Sequence, residues 1–327
     1  MLRAEDGSVC GIVEDAMAGP REKDLGEINV GVYCFSASWV WTYLSHLPIS
    51  PTGEYFITDL IAIASQSGMN VESVALKASE EGMGINDRVQ LAKAEAILRH
   101  RIRERLMLAG VTILDRSSTF IDAQVEIGQD TVIYPNTTIS GGSKIGERCH
   151  VGPNSIVIDS TIGSGCRVIS SMIESSVLEE DVEVGPFSHI RPESYIGAET
   201  HIGNYAEVKK SRLGRGVAMG HFSYIGDAQV GNNVNISAGA ITCNFDGVEK
   251  HETVIGNDAF IGCDTMMVAP VTIGDRAYTG AGAVVIHDRA YTGAGTVVIH
   301  DVPPDTLVAG VPARVLRKLD PKIPETT

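Results

Sequence analysis

Aromatic residues are few. Phe, Trp and Tyr make up 6% of the 327 residues, so the interior must be packed from aliphatic side chains rather than rings. Basic residues are also short: 26 Lys and Arg face 41 Asp and Glu, a net charge of −15. That argues against nucleic acid as a partner, because its footprint is a basic surface. No stretch approaches the roughly 18 apolar residues of a membrane-spanning helix, so no membrane partner is expected. The opening MLRAEDGSVCGIVEDA lacks the apolar region of a signal peptide. The six cysteines (Cys10, Cys34, Cys149, Cys166, Cys243 and Cys263) form no CxxC pair, which argues against a zinc knuckle. In a chain long enough for about two domains they read as reduced thiols of a cytoplasmic protein. Charged residues at 20% and hydrophobic residues at 43% argue against wholesale disorder.

Glycine is abundant, at 35 residues, and it falls in a pattern. An aliphatic residue recurs every six positions at Ile127, Ile133, Ile139, Ile145, Val151 and Val157. After shorter steps around 162–178 the period resumes at Val184, Ile190, Ile196, Ile202 and Val208. It runs on through Leu213, Met219, Ile225, Val230 and Ile236, then Ile255, Ile261, Met267 and Ile273. Glycine often follows, as at Gly128, Gly146, Gly197, Gly214 and Gly256. A period of six fits neither a helix of 3.6 residues per turn nor a simple hairpin array. It fits a parallel β-helix with three flat sides and about 18 residues per coil, the aliphatics pointing inward and glycine turning the corners. The polar stretch 242–254 (TCNFDGVEKHETV) interrupts the period and reads as a loop leaving a rigid scaffold.

Residues 1–85 lack the period. GEINVGVYCF (26–35) and NVESVA (70–75) read as strands, and GEYFITDLIAIASQSG as a helix ending at Gly68. Residues 87–109 read as a long linker helix, started by a capping box of Asp87 and Gln90 and stopped by Gly110. Its apolar positions include Val89, Leu91, Ile97, Ile102 and Leu106. The domains expected are therefore 1–85, an α/β segment with too few strands for a doubly wound sheet and no phosphate loop; 86–110, the linker helix; and 111–327, the β-helix with its tail.

Specific strings carry a family resemblance: IVEDA (12–16), GEINVGVYCF, GEYFITDLI (53–61), GINDRVQLA (84–92), LAGVTILD (108–115), GPFSHIRP (185–192), IGNYAEVKKS (202–211), GHFSYIGDA (220–228) and NVNISAGAITCNFDG (233–247). From about residue 5 to about 310 the chain resembles the bifunctional bacterial N-acetylglucosamine-1-phosphate uridyltransferase / glucosamine-1-phosphate acetyltransferase. The resemblance implies a left-handed parallel β-helix preceded by an incomplete Rossmann-like nucleotidyltransferase segment. It implies a cytoplasmic homotrimer in UDP-N-acetylglucosamine synthesis for peptidoglycan and lipopolysaccharide. Acetyl-CoA would be the co-substrate, with Mg²⁺ needed only for the uridyltransferase part.

The resemblance also assigns residues. His221 is the expected base that takes the amine proton, with Glu207 a candidate to orient it. Arg191, Lys209 and Lys250 are expected on the sugar phosphate, where the window 191–221 holds five bases against three acids. Lys210, next along the strand, should face the other way. Tyr224 and Asn235 match sugar-contacting positions. Ala238, Asn244, Phe245, Cys263 and Ala281 match the acetyl-CoA side, with Cys263 replacing a serine and Phe245 a tyrosine. Glu14, Asn29 and Asn86 match sugar and metal positions of the uridyltransferase, Asn86 being the metal contact.

There are three departures. The family's first 130–140 residues have no counterpart here, so uridylyl transfer is not expected and the apolar faces of 1–85 should be exposed. RAYTGAGAVVIHD (276–288) is repeated at once as RAYTGAGTVVIHD (289–301), and thirteen is not a multiple of six, so one copy must slip or bulge. Either Ala281 or Ala294 could then supply the acetyl-CoA contact. Val311 stands where the family has an arginine, with Arg314 and Arg317 as possible substitutes.

Other readings are an inactive remnant or non-catalytic scaffold, a regulatory nucleotidyltransferase-like subunit, and a β-helix metalloenzyme. The last would need three converging histidines, and His189, His201, His221 and His251 show no close pairing.

Overall fold

The computed structural model describes residues 1–286, with the backbone of strands Tyr291–Thr292, Thr306–Ala309 and Arg314–Lys318. The chain divides into two units, Met1–Ile97 and Leu98–Thr327.

In the first unit Leu2–Arg3 pairs antiparallel with Val9–Gly11, and the helix Asp59–Gln66 buries Leu60 and Ala64. The two strands expected at 26–35 and 70–75 do not form: both segments are irregular. A strand is stable only when its N–H and C=O groups meet a neighbour, and no described segment pairs with either. The helix expected over 53–68 begins only at Asp59. Ile28, Val32 and Val74 are exposed, so the β-branched residues that suggested strands lie on the surface.

The long helix spans Arg88–Leu108. Asp87 Oδ1 accepts the Gln90 N–H at 2.7 Å, and the Gln90 side chain reaches back to the Asn86 N–H at 2.5 Å, one residue beyond an ordinary capping box. Gly110, at φ +96°, ends it: the Val111 N–H bonds Leu106 O and the Gly110 N–H bonds Met107 O, a Schellman pair. Val89 and Leu91 are exposed, contrary to the periodic reading. Only Ile102 and Leu106 are buried, joining Val111, Ile113 and Ile121 in the core. The last turns of the helix thus cover the open end of the solenoid, as a terminal cap must.

From Thr112 the chain winds through three parallel sheets in rotation. The first face runs from Thr112–Ile113 to Phe260–Ile261, the second from Phe120–Ile121 to Val284–Ile286, and the third from Glu126–Ile127 to Val271–Ile273. Each strand pairs with the same face one coil on: Phe120 with Thr138, Ile156 with Met172, Tyr195 with Arg212. The inward ladder Ile139, Val157, Ile173, Ile190, Val208 and Ile225 is fully buried. Buried Ser, Thr and Cys beside it bond neighbouring coils, as Thr131 Oγ1 donates to Gly146 O at 2.8 Å.

The corners depart from the sequence reading. Gly128, Gly146, Gly197, Gly214, Gly231 and Gly256 follow the inward aliphatic on the third face, but none has a positive φ. A Cβ on Gly128 would lie 2.6 Å from Gly146 C, and one on Gly256 2.4 Å from the Asp275 nitrogen. These glycines are there because the next coil is too close for a side chain. At this corner the turning is done at another position, by left-handed Asp130, Arg148, Gly165, Asp181, Glu199, Gly216, Asn233, Asp258 and Arg276, whereas on the first face Gly152 (φ +103°) and Gly185 (φ +109°) follow the inward aliphatic and turn the corner as the sequence reading expects.

The excursion is shorter than 242–254. Ile241–Cys243 and Thr253–Ile255 are strands of the stack, and only 244–252 leave it. Of the two 13-residue copies, the first keeps the register: Met266 pairs with Val284. The second places Tyr291–Thr292 against Leu307–Val308 in a separate three-stranded sheet.

Candidate acetyl-transfer site

The second face carries two outward columns around Val208. His189, Glu207 and Tyr224 follow one another in the first. Glu174, Arg191 and Lys209 lie on the other side of the inward ladder, the Arg191 N–H bonding Val208 O at 2.8 Å. Diagonal pairs join the columns. Arg191 Nη1 lies 2.7 Å from Glu207 Oε1, and His189 Nε2 2.5 Å from Glu174 Oε2. Glu207 is therefore engaged with Arg191, not with His221. The carboxylate raises the Arg191 pKa, so the guanidinium is held charged. Both side chains are about two-fifths exposed, so the pair is worth little as stability and leaves Arg191 open to an anion.

Lys209 and Lys250 face each other. The close approach of the Lys250 ammonium, then burial and the charge of Arg191, push the Lys209 pKa down. Asp227 and Tyr224 favour the charged form of Lys250. Three cationic groups thus converge on one patch of an acidic chain. Lys210, in the left-handed region, turns away to Asp227 at 3.7 Å.

His221 stands at the corner between the first and second faces. It is exposed and has no hydrogen-bond partner among the described residues. The registers Ala218–Asn235, Ile241–Met266 and Met266–Val284 put Ala238, Cys263 and Ala281 at the same coil position on the next three coils. Ala238 O accepts the Asp264 N–H at 2.8 Å, and Cys263 O the Gly282 N–H at 2.7 Å. Cys263 and Ala281 are exposed, so small residues line a continuous edge above His221. Asn235 lies on the first face, its amide donating to Ser237 Oγ at 3.1 Å.

At the opposite edge, Asn244 starts the excursion. Its amide donates to Asp227 Oδ2 at 2.5 Å and to the Tyr224 hydroxyl at 3.4 Å. The excursion is a small hairpin, with Phe245 bridged to Lys250 and Asp246 bracing the turn. Asp246 Oδ1 accepts the Val248 and Glu249 N–H groups, each at 2.7 Å, and Oδ2 meets His251 Nε2 at 2.7 Å. These bonds hold the Asp246 carboxyl well below the usual range. Phe245 and Lys250 are exposed at its flank. Asp227 and Asn244 stand one coil apart, 17 residues, a spacing that the repeat length gives once the strands are in place.

The remaining assigned residues do not gather. Glu14 accepts the Thr58 hydroxyl at 2.7 Å, Asn29 donates to the Tyr33 hydroxyl at 2.6 Å, and Asn86 sits at the start of the long helix. Among the described residues no three His, Cys, Asp or Glu side chains could share a metal ion. No step is derived through Mg²⁺. Arg314 is exposed and Arg317 pairs through its backbone with Leu307; Ala294 and Val311 lie outside the described residues. No helix among the described residues is long and apolar enough to cross a membrane.

Residues 124–159 and 252–287 match the bacterial transferase hexapeptide family (six repeats), and residues 148–238 match the GlmU-like, C-terminal hexapeptide family. The fold is thus the left-handed hexapeptide form of parallel β-helix. The chain is 46% identical over 286 residues to the bifunctional protein GlmU of Geobacillus sp. (strain WCH70), covering 87% of this chain and 62% of the relative. To that of Fervidobacterium nodosum it is 47% identical over 282 residues, covering 86% and 61%. The chain therefore spans about three-fifths of the length of the curated relatives it matches. Among solved structures it is similar to the acetyltransferase domain of PglB from Neisseria gonorrhoeae at 27% identity, covering 41% of this chain and 57% of that one, TM-score 0.33. The Francisella novicida UDP-N-acetylglucosamine acyltransferase shares 17% identity, covering 63% and 70%, TM-score 0.42. The chain thus matches the GlmU-like hexapeptide domain over residues 148–238, and over 87% of its length it is similar to the bifunctional protein GlmU.

Proposed function

We propose that the chain transfers an acetyl group from acetyl-CoA to the amine of glucosamine-1-phosphate. The observation that carries this reading is the cluster of Arg191, Lys209 and Lys250 on an acidic chain, on the face that follows the corner bearing His221. A dianionic sugar phosphate needs such a cluster: Arg191 offers a planar fork and the two lysines point charges. Tyr224 and Asn235 offer a hydroxyl and an amide to the ring hydroxyls. His221 takes a proton from the amine as its nitrogen attacks the thioester carbonyl. The C–S bond then breaks, and the proton goes to the departing thiolate. The column Ala238, Cys263 and Ala281 leaves room for the CoA arm along the edge, with Asn244 and Phe245 at the excursion.

A homotrimer fits the same reading. Phe187 and Tyr205 stack at 5.4 Å and are exposed, and Phe222 extends the row beside His221. A second copy would cover this row and close the groove. The six free thiols agree with a cytoplasmic setting. No uridylyl-transfer step is assigned to these residues.

The test is release of CoA thiol from acetyl-CoA and glucosamine-1-phosphate, with His221→Ala alongside. Release that needs the sugar phosphate and falls by about a hundredfold or more in the variant is expected. No release from a folded, trimeric wild-type sample would overturn the reading in favour of an inactive scaffold.

A further inference from the structure

We infer that Asp227 is a positioning residue of the acetyl-transfer site: it fixes the root of the 244–252 hairpin and, through Asn244, the Tyr224 hydroxyl. The inference rests on the acetyl-transfer reading above. Lys210, Asp227 and Asn244 occupy the same position on three successive coils, at the corner between the second and third faces. Asp227 holds both ends of the excursion. Its side chain, 10% exposed, accepts from the Asn244 amide where the chain leaves the stack. Its backbone oxygen accepts the Thr253 N–H at 3.1 Å where the chain returns. Its own N–H bonds Lys209 O at 3.1 Å, so the residue is itself tied to the strand that carries the cationic cluster.

The groups facing Asp227 show what it sets. Asn244, 7% exposed, has its amide shared between the Asp227 carboxylate and the Tyr224 hydroxyl. Lys209, Lys210 and Lys250 all feel the same carboxylate. With Asp227 in place, Asn244 has one orientation, Tyr224 has a fixed hydroxyl, and Lys250 is returned to Lys209 by the hairpin. Without its carboxylate the hairpin keeps its internal bonds through Asp246 and the Thr253 bond to the 227 backbone, but loses the tie at Asn244 where the chain leaves the stack. A buried amide would then lack its charged partner.

Hydrogen–deuterium exchange and thiol-release kinetics on the full chain test this with Asp227→Ala, Asp227→Asn, Asn244→Ala and the Asp227→Ala/Asn244→Ala double variant. In Asp227→Ala the amides of 245–252 should exchange about tenfold faster while those of 229–236 do not change. Its kcat/KM should fall about tenfold or more, the loss expected of a charge-assisted hydrogen bond. Asp227→Asn keeps an acceptor for the Asn244 amide and should return within about threefold of wild type in both readouts. Because the two residues act through one link, the double variant should be no worse than the worse single variant to within about twofold. Asn244→Ala cuts the same link from the other side and should reproduce the exchange pattern, which keeps the test valid if Asp227→Ala does not fold. Unaltered exchange at 245–252 in the folded variants, or losses that multiply in the double variant, would overturn the inference. A wild-type chain without thiol release sinks the acetyl-transfer reading instead, and the exchange pattern still decides whether Asp227 anchors the hairpin.

Discussion

Thr253 buries its hydroxyl completely, and the oxygen has no hydrogen-bond partner among the described residues. Its neighbours Ala228 and Val271 on adjoining coils are apolar at that position. A lone buried hydroxyl costs its full desolvation, so Thr253→Val should stabilise the β-helix by about 1 kcal/mol. Equilibrium unfolding in urea reads this as a higher midpoint at unchanged slope, and a lower midpoint would show that the hydroxyl is satisfied. At the same scale, Asp246 lies below its ordinary value because the Glu249 N–H, His251 and the Val248 N–H favour the carboxylate. A depressed carboxyl stabilises the folded hairpin above the unfolded pKa and loses that contribution as pH falls through the folded one. An NMR titration should therefore place the Asp246 midpoint below 3.8, while Asp246→Asn should loosen the amides of Val248 and Glu249 at neutral pH. The cationic residues were legible singly, because each sits in a specific string. The Arg191–Glu207 and Asp227–Asn244 pairs were not: their partners lie a coil away, at spacings set by the register rather than by the local sequence.

Among the elements, the coil corner divides its work between two positions. On the third face, glycine after the inward aliphatic admits the next coil, and a left-handed residue further on makes the turn. A Cβ at Gly203 would fall 1.9 Å from Gly220 O, whereas one at Gly220 would meet nothing within 4 Å. Gly203→Ala should therefore destabilise by about 2 kcal/mol or more, the cost of overpacking, and Gly220→Ala by less than about 1 kcal/mol. Thermal unfolding of the two variants checks this, and equal losses would refute the stacking account. The inward ladder was readable from its period alone because every sixth side chain meets the same environment. The reason for the glycines was not, since the atom that excludes the side chain belongs to the next coil, 18 positions later at Gly128, 19 at Gly256 and 26 at Gly231. The segments 26–35 and 70–75 failed for the opposite reason: local β propensity is present, but the pairing partner is not.

For the whole molecule, the two units differ in how they are held. The continuous core contains Ile102 to Val285 and no residue of 1–97, where Val9, Leu60 and Ala64 are the buried hydrophobics. Limited proteolysis should cut within 1–97 at least about tenfold faster than within 111–286, leaving a resistant β-helical fragment. Equal rates would mean that the first unit is as well secured as the second. A fragment beginning near residue 86 should retain thiol release within about twofold of the full chain, since every residue assigned to acetyl transfer lies beyond the long helix.

The column that rises from His221 through Ala238 and Cys263 to Ala281 is also a ruler. Its divisions are the strand spacing of about 4.8 Å, and nothing smaller is available to it. An excursion at a corner, such as 244–252, adds residues without adding a division, because Ile241 still stacks directly under Met266. Length inserted within a face has no such escape: it either completes a coil and moves everything above it by one full division, or it leaves the stack, as the second 13-residue copy does at Tyr291–Thr292. The reach of the edge above His221 can therefore change only in whole steps, and it ends where the stack ends.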